Sequence, residues 1–243
     1  MLADQQQHID RGERWLNTVL PGDPAILSWS QAEPAGLVLG FSQKHTVLNQ
    51  ATLAHQPMPI YHRRAGGTAV LVGPHLLSLD VVLPAENPLI LPDIVESYRW
   101  FGEAWVIALR QLGIQTRLVL PEEARAQRLR LKNPVTSAYE QLMQRACYGS
   151  LSSYEIAAGQ RKVVGLDMIR RRTASLLQAG VLLHWDTTTL AQLLGHTEQE
   201  QALLNEGLRA RATGLDILAG RTVQASEVIA AFEHVITAGE YKT

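Results

Sequence analysis

Residues 147–180 read C-Y-G-S-L-S-S-Y-E-I-A-A-G-Q-R-K-V-V-G-L-D-M-I-R-R-R-T-A-S-L-L-Q-A-G. Gly159-Gln160 lies between two short runs of strand-forming residues, which predicts a hairpin of strands 153–158 and 162–167. Segments 170–172 and 174–185 read as a continuation of the same sheet, with Gly180 as an interior break. The stretch carries Cys147, the only cysteine of the chain, and a single lysine, Lys162, placed on a strand.

Upstream, an apolar stripe through Ile9, Trp15, Leu16, Val19 and Leu20 predicts a helix over 3–20, ended by Pro21-Gly22-Asp23-Pro24. Strands are expected at 25–30, 36–41, 60–62, 68–72 and 76–83, with a short helix at 46–56. A proline-punctuated loop covers 84–92. Asp93 then caps a long helix running to about residue 111, with Glu96 completing a capping-box pair. A strand follows at 116–120. Residues 122–139 are polar and arginine-rich without a clean period, and read as a mobile or partly helical connector. Helices are expected at 187–194, 198–207 and 225–238. The pattern is α+β: a mixed sheet flanked by helices, with residues 1–186 as the main domain and 187–243 as a helical C-terminal extension packed on it.

The bulk numbers narrow the function. The 243 residues are 46% hydrophobic, enough for a sizeable core, and the formal net charge is −1 from 22 basic and 23 acidic side chains. This near-neutral balance gives no reason to expect a nucleic-acid or membrane partner. A lone cysteine fits a reducing cytoplasm, and the polar start lacks a signal-peptide pattern. No apolar run approaches the ~20 residues that span a bilayer. Neither a zinc-type Cys/His cluster nor a phosphate-binding glycine loop ending in Lys-Ser/Thr is found, so no metal site is expected.

Two patches carry chemistry. In Arg63-Arg64-Ala65-Gly66-Gly67-Thr68-Ala69-Val70, adjacent glycines let a ligand approach the backbone, and the arginines offer charge to a carboxylate or phosphate. The same residues also read as a tight turn with two solvated arginines. Cys147 is a nucleophile and acyl carrier if its surroundings favour the thiolate, and Arg145 just upstream is a candidate cation; a free cysteine also serves as a small hydrophobe. Lys162 is either a solvated strand lysine or an ammonium aimed at a developing oxyanion. The run Arg170-Arg171-Arg172 binds an acidic partner or forms a solvated face.

With these residues placed, the chain resembles the catalytic domain of the lipoate-protein ligase A, octanoyltransferase and biotin-ligase superfamily. Within it, the cysteine-dependent octanoyl-carrier-protein:protein octanoyltransferases are the most similar branch. The resemblance runs from about residue 10 to 185. It rests on L-S-W-S-Q-A-E-P-A-G-L-V-L-G-F-S-Q at 27–43, the arginine–glycine turn at 63–70, I-V-E-S-Y-R at 94–99, a C-Y-x-x-x-S-x-Y-E pattern at 147–155 and G-Q-R-K-V-V-G at 159–165. The sequence departs from the family pattern at Ala65, at Val72 (a histidine in many members), at Leu166-Asp167-Met168 and at Ala179.

The resemblance implies a class II synthetase-like fold, Cys147 as acyl carrier and Lys162 as the essential lysine. Arg63, Arg64, Gly66, Gly67, Thr68, Ala69, Val70 and Gly165 would bind substrate, with strand 70–72 lining a fatty-acyl tunnel. The implied reaction moves an octanoyl or lipoyl group from acyl carrier protein to a lysine of a lipoyl-domain protein, the glycine cleavage H protein or a dehydrogenase E2 subunit, without a cofactor. Two alternatives remain open: an ATP- and Mg-dependent lipoate ligase acting through lipoyl-AMP, and a catalytically silent acyl-binding relative, motivated by the departures.

Overall fold

A computed structural model describes residues 2–242. In chain order the elements are β1 (Leu2–Ala3), α1 (Gln5–Thr18), β2 (Ile26–Ala32), β3 (Gly36–Leu39), α2 (Gln50–His55), β4 (Ile60–His62), β5 (Val70–Val72), β6 (Leu76–Pro84) and α3 (Arg99–Gln111). They continue with β7 (Arg117–Leu118), α4 (Pro121–Arg130), α5 (Ser137–Met143), β8 (Ile156–Ala158), β9 (Arg161–Arg170) and β10 (Ala174–Leu182). The C-terminal helices are α6 (Thr187–Leu194), α7 (Glu198–Arg211), α8 (Leu215–Ala219) and α9 (Ala225–Ala238).

The expected α+β architecture is observed. Seven strands form one sheet in the order β1-β2-β6-β10-β9-β8-β7, and β4-β3-β5 form a second. The large sheet is antiparallel apart from the β1–β2 pair. Strand period explains how it serves two purposes, because alternate side chains face opposite sides. Leu77, Leu79, Val81 and Leu83 of β6, with Leu177, Ala179 and Val181 of β10, enter a core shared with Phe101 and Trp105 of α3 and Phe232 of α9. Trp105 and Phe232 lie 4.3 Å apart, and Trp29 meets Phe232 edge-on at 5.6 Å. On the opposite face, Val82, Ala174 and Leu176 are covered by Leu16 of α1 and by Val19, the residue that caps its C-terminus. Further along that face the cover stops, and Ser78, Asp80, Gln178 and Gly180 line a cavity instead. The small sheet packs Leu37, Leu39 and Leu71 against α5, α6 and α7.

Three expectations are sharpened or changed. Of the two readings of 122–139 the partly helical one holds: nearly all of α4 and the first three residues of α5 lie in it. Only Ala124 of α4 is buried, so that helix has no apolar stripe to betray its period. Its start is held by Pro121 in the first turn and by the Leu120 N–H donating to Glu123 at 2.9 Å. The helix expected from residue 93 begins at Arg99. Asp93 does cap the preceding turn, accepting from the N–H groups of Val95 and Glu96 at 2.7 and 3.0 Å. The capping box fails because Glu96 instead accepts the Tyr154 hydroxyl at 2.5 Å. Third, β9 runs unbroken to Arg170, and Arg171-Arg172 form the turn into β10. Among the described residues no helix is long and apolar enough to cross a membrane.

A buried ion pair ties the helices to the turn that carries the cysteine. Arg211 of α7 donates to both Glu140 carboxylate oxygens at 2.8 Å and to the Gly149 carbonyl at 2.7 Å. Arg211→Met is expected to destabilise the fold by about 3–5 kcal/mol, because Glu140 stays buried without its partner. Adding Glu140→Leu is expected to recover most of that loss in denaturant titrations. An additive second loss would contradict the pairing.

Candidate active site

Lys162 reaches its position through an irregularity in β9. Ile156 pairs with Val164, yet the next residue, Ala157, pairs with Lys162, so Val163 is one residue too many on β9. Such a bulge re-aims the side chains beyond it. Val163 and Val164 both enter the core, while Lys162 and Gly165 emerge together on the cavity face. In a regular strand these two positions, three apart, would face opposite sides. A Cβ at Gly165 would stand 3.1 Å from Lys162 Cε, so glycine makes room for the lysine.

Lys162 is 1% exposed and Glu155 2%. Nζ lies 2.6 Å from Glu155 Oε1 and donates to the carbonyls of Cys147 at 3.1 Å and Ser150 at 3.4 Å. It sits 3.9 Å from the Cys147 sulfur and 4.9 Å from the centre of the Tyr148 ring. Burial by itself pushes the ammonium down, but the charges of Cys147 and Glu155 outweigh it and hold Lys162 above its ordinary value, so the group stays charged. Burial lifts Glu155, and Lys162 with the N–H groups of Ser152 and Leu166 opposes that rise. The geometry favours the ionised pair, since only acceptors surround Nζ while Glu155 accepts the Ser152 N–H at 2.7 Å and the Leu166 N–H at 3.3 Å.

Cys147 opens a single 3-10 turn, Cys147–Gly149, after α5. Its N–H donates to the Ala69 carbonyl at 2.9 Å, and the Ala69 N–H donates to the Arg145 carbonyl at 3.2 Å. A parallel bridge thus sets the cysteine beside the glycine turn. Gly149 is obligatory, because a Cβ there would lie 2.0 Å from the Met143 carbonyl oxygen. The adjacent Tyr148 hydroxyl donates to the Gly180 carbonyl at 2.6 Å. Burial pushes that hydroxyl well above its ordinary value, which keeps it a donor. Arg145 is not the cation at the sulfur: Glu200 engages it at 2.6 and 3.1 Å and the Leu194 carbonyl at 2.7 Å.

These groups border one cavity of about 470 Å³. Of the residues singled out by sequence, Cys147, Lys162, Arg63, Gly67, Thr68, Val70 and Gly165 line it. Arg64, Gly66 and Ala69 do not. Arg64 is exposed and pairs with Glu13 at 2.7 Å, and Ala69 faces the core of the small sheet. Arg63 braces the turn, donating to the carbonyls of Gly66 at 3.1 Å and Thr68 at 3.2 Å, with Asp167 Oδ2 3.8 Å away. Burial pushes Asp167 up and Arg63 opposes it. The Arg170 run serves the fold: Arg170 donates to Ser97 at 2.6 Å and the Pro92 carbonyl at 3.1 Å, and Arg171 donates to Asn17. The departures Val72, Leu166, Asp167 and Ala179 all border the cavity.

Sequence reading missed Glu155, although the Y-E ending of its own motif contained it; an acid close to a strand lysine was the available signal. It also missed Asp80, Gln178 and His8, which come from three separate elements. Among the described residues, no group of three or more His, Cys, Asp or Glu is placed to hold a metal ion.

The Tyr148–Gly180 contact is testable. A Cβ at Gly180 would lie 2.8 Å from the Tyr148 hydroxyl oxygen. Gly180→Ala is therefore expected to cost about 1–3 kcal/mol by displacing that buried donor. In a Gly180→Ala/Tyr148→Phe double variant the two losses should be clearly less than additive. Strict additivity in chemical denaturation would show that the two groups do not compete for the space.

Comparison with known proteins follows the same lines. Residues 6–237 match the family described as the lipoyl protein ligase A/B catalytic domain. Octanoyltransferase LipM of Exiguobacterium sibiricum is 31% identical over 212 residues, covering 84% of this chain and 70% of the relative. The protein of the same name from another Exiguobacterium species is 28% identical, covering 89% of this chain and 76% of its own length. Among solved structures, a lipoate-protein ligase A bound with ATP superposes with a TM-score of 0.70 at 20% identity, covering 96% of this chain and 79% of its own. A bi-partite lipoate protein ligase from Thermoplasma acidophilum, described together with its E2 lipoyl domain, gives 0.72 at 19% identity over 96% of this chain and 79% of its own. These two likenesses concern the fold. With 6–237 matched, and the bulge, the cysteine turn and the glycine turn converging on one cavity, the chain belongs to the lipoyl protein ligase A/B catalytic domain family.

Proposed function

We propose that this protein is an octanoyltransferase of lipoate assembly, with Cys147 as the acyl carrier and Lys162 as the group that receives charge from the carbonyl oxygen. The observation that carries the mechanism is a buried ammonium 3.9 Å from the only cysteine sulfur, inside a cavity. The relatives named octanoyltransferase LipM support the acyl group.

In the first half-reaction the Cys147 sulfur attacks the thioester carbonyl of an octanoyl donor. A carbon–sulfur bond to Cys147 forms and that to the donor breaks. The departing donor thiolate takes the proton that Cys147 gives up. In the second half-reaction the amine of an acceptor lysine attacks the Cys147 thioester. A carbon–nitrogen bond forms, the carbon–sulfur bond breaks, and the proton lost by nitrogen returns to the sulfur. Each step passes through a tetrahedral oxyanion, and a fixed, desolvated ammonium is worth most where that charge develops. One activated acyl bond is exchanged for another and then for an amide, so no step draws on ATP. Acyl carrier protein is the donor in this reading and a lipoyl domain the acceptor. The lipoyl-domain system of the Thermoplasma ligase supports the acceptor class.

The test is intact-mass spectrometry after incubation with octanoyl-acyl carrier protein and no ATP. The wild type is expected to gain one octanoyl group that hydroxylamine removes, and Cys147→Ser to gain none. Lys162→Ala is expected to slow adduct formation by about 10²–10³-fold, the scale for losing an oxyanion-stabilising group. An unmodified wild type would overturn the cysteine mechanism.

A further inference from the structure

Helix α4 is hardly committed to the core. Only Ala124 is buried, packed with Val119, Ala157 and Leu151. Polar contacts fix its place instead. Arg117 donates to both Glu123 carboxylate oxygens at 2.8 and 2.9 Å, and the Leu151 N–H donates to Gln127 Oε1 at 2.6 Å. The second contact ties the helix to the segment that follows the Cys147–Gly149 turn.

The outward face of α4 has one sign of charge. Arg125, Arg128, Leu129 and Lys132 follow the i, i+3, i+4, i+7 spacing that gathers residues on one side of a helix, with Lys132 in the turn just past the helix end at Arg130. All four are exposed, Leu129 by 55%. Val135, in the turn that follows, is 90% exposed. The acids of α4, Glu122 and Glu123, are confined to its first turn. Arginines elsewhere, such as Arg117, Arg145, Arg211 and Arg221, meet carboxylates. Among the described residues, Arg125, Arg128 and Lys132 meet none. In a chain of net charge −1, this is a local excess of positive charge around a bare leucine. Arginine beside exposed apolar side chains is the composition of a protein interface.

The charged face begins at the cavity. Arg128 lines it with Gln144, Leu151, Ser152 and Ser153, and the same cavity holds Cys147 and Lys162. A partner held on α4 stands where an arm can enter towards the cysteine. Donor and acceptor differ at this point. A carrier-borne thioester hangs on a phosphopantetheine arm with a phosphodiester at its root, whereas an acceptor lysine brings no such anion. A guanidinium at the cavity edge suits a phosphate. Arg125 and Lys132 extend the positive charge outside the cavity.

We propose that this face of α4, formed by Arg125, Arg128, Leu129 and Lys132, is the docking surface for the acidic carrier domain of the acyl donor, with Arg128 receiving the phosphate of its arm. The inference rests on the acyl-transfer reading of the cavity and adds where the donor sits. Complementary charge speeds encounter and sets orientation, and salt screens it.

Loading of Cys147 in the full-length protein is to be followed by intact mass with octanoyl-acyl carrier protein and with octanoyl-pantetheine, which lacks both carrier and phosphate. Arg125→Glu/Lys132→Glu is expected to lower kcat/KM with the carrier donor by about tenfold or more at low salt, and to leave loading from octanoyl-pantetheine within about twofold of wild type. The gap between wild type and variant should close as sodium chloride is raised. Equal loading from the carrier by both proteins would overturn the dock, as would an equal loss with both donors. The wild type is expected to load octanoyl-phosphopantetheine severalfold better than octanoyl-pantetheine, and Arg128→Gln to remove that advantage. A wild type indifferent to the phosphate would overturn the role of Arg128. Transfer from the loaded cysteine to a lipoyl domain, measured in a single turnover, should be unchanged in the double variant. A defect confined to that step would give the face to the acceptor and overturn its assignment to the donor. Binding of the carrier without its acyl group is measured calorimetrically in parallel. Binding that the double variant weakens, with no adduct on the wild type from any donor, supports the dock and overturns acyl transfer.

Discussion

A charged lysine cannot stay inside a protein without partners that replace its water. Lys162 has a carboxylate at 2.6 Å and two backbone carbonyls, and much of the site follows from supplying them. The bulge at Val163 turns the side chain out of the core, Gly165 gives it room, and the Cys147–Gly149 turn brings its carbonyl. Removing two charges from water costs several kcal/mol per ion, and an apolar pair of the same volume is often no less stable. The pair is therefore poor evidence of a stabilising device. It is better understood as the means of keeping a positive charge dry and fixed beside a nucleophile, where solvent would otherwise screen it.

The sheet makes that fixity possible because its two faces differ. One face is closed by Trp105, Phe101 and Phe232 from helices far apart in sequence, and this packing holds β6 and β10 rigid. The other is covered by α1 only at one end, so the cavity opens over strands backed by that packed core. Side chains placed on strands are held more precisely than those on loops. Cys147 is the exception, and its turn is accordingly pinned by Ala69, by Arg211 through the Gly149 carbonyl, and by the Tyr148 hydroxyl on Gly180.

Local signals in the sequence were readable and non-local ones were not. Gly159 marks the β8–β9 hairpin because the turn needs its positive φ of 58°. Cys147 and Lys162 stand out as the only cysteine and as a strand lysine. The bulge just after Lys162 has no such mark: Lys-Val-Val-Gly reads as an ordinary strand, and only the pairing with Ile156 and Ala157 shows the extra residue. Helix α4 escaped because one buried alanine makes no stripe. Arg145 looked like the cation of the cysteine because it is close in sequence, but its charge goes to Glu200, 55 positions away. The Asp80–Gln178 contact spans 98 positions and depends on sheet register, which periodicity alone does not fix.

Bond exchange and substrate recognition come from different parts of this fold. The reacting groups in the proposed mechanism belong to the β9 bulge and the turn after α5, held against β5. The cavity floor and inner end belong to β6, β10 and α1. Of the departures from the family pattern, Val72, Leu166, Asp167 and Ala179 border the cavity and Ala65 and Met168 do not, while Cys147, Lys162 and the Gly66-Gly67 turn stay. Loss of function would leave the dyad free to change, and nothing would then require a buried lysine with a buried carboxylate. Retention of that costly pair fits a chain that still transfers an acyl group, with the departures confined to positions around the pair.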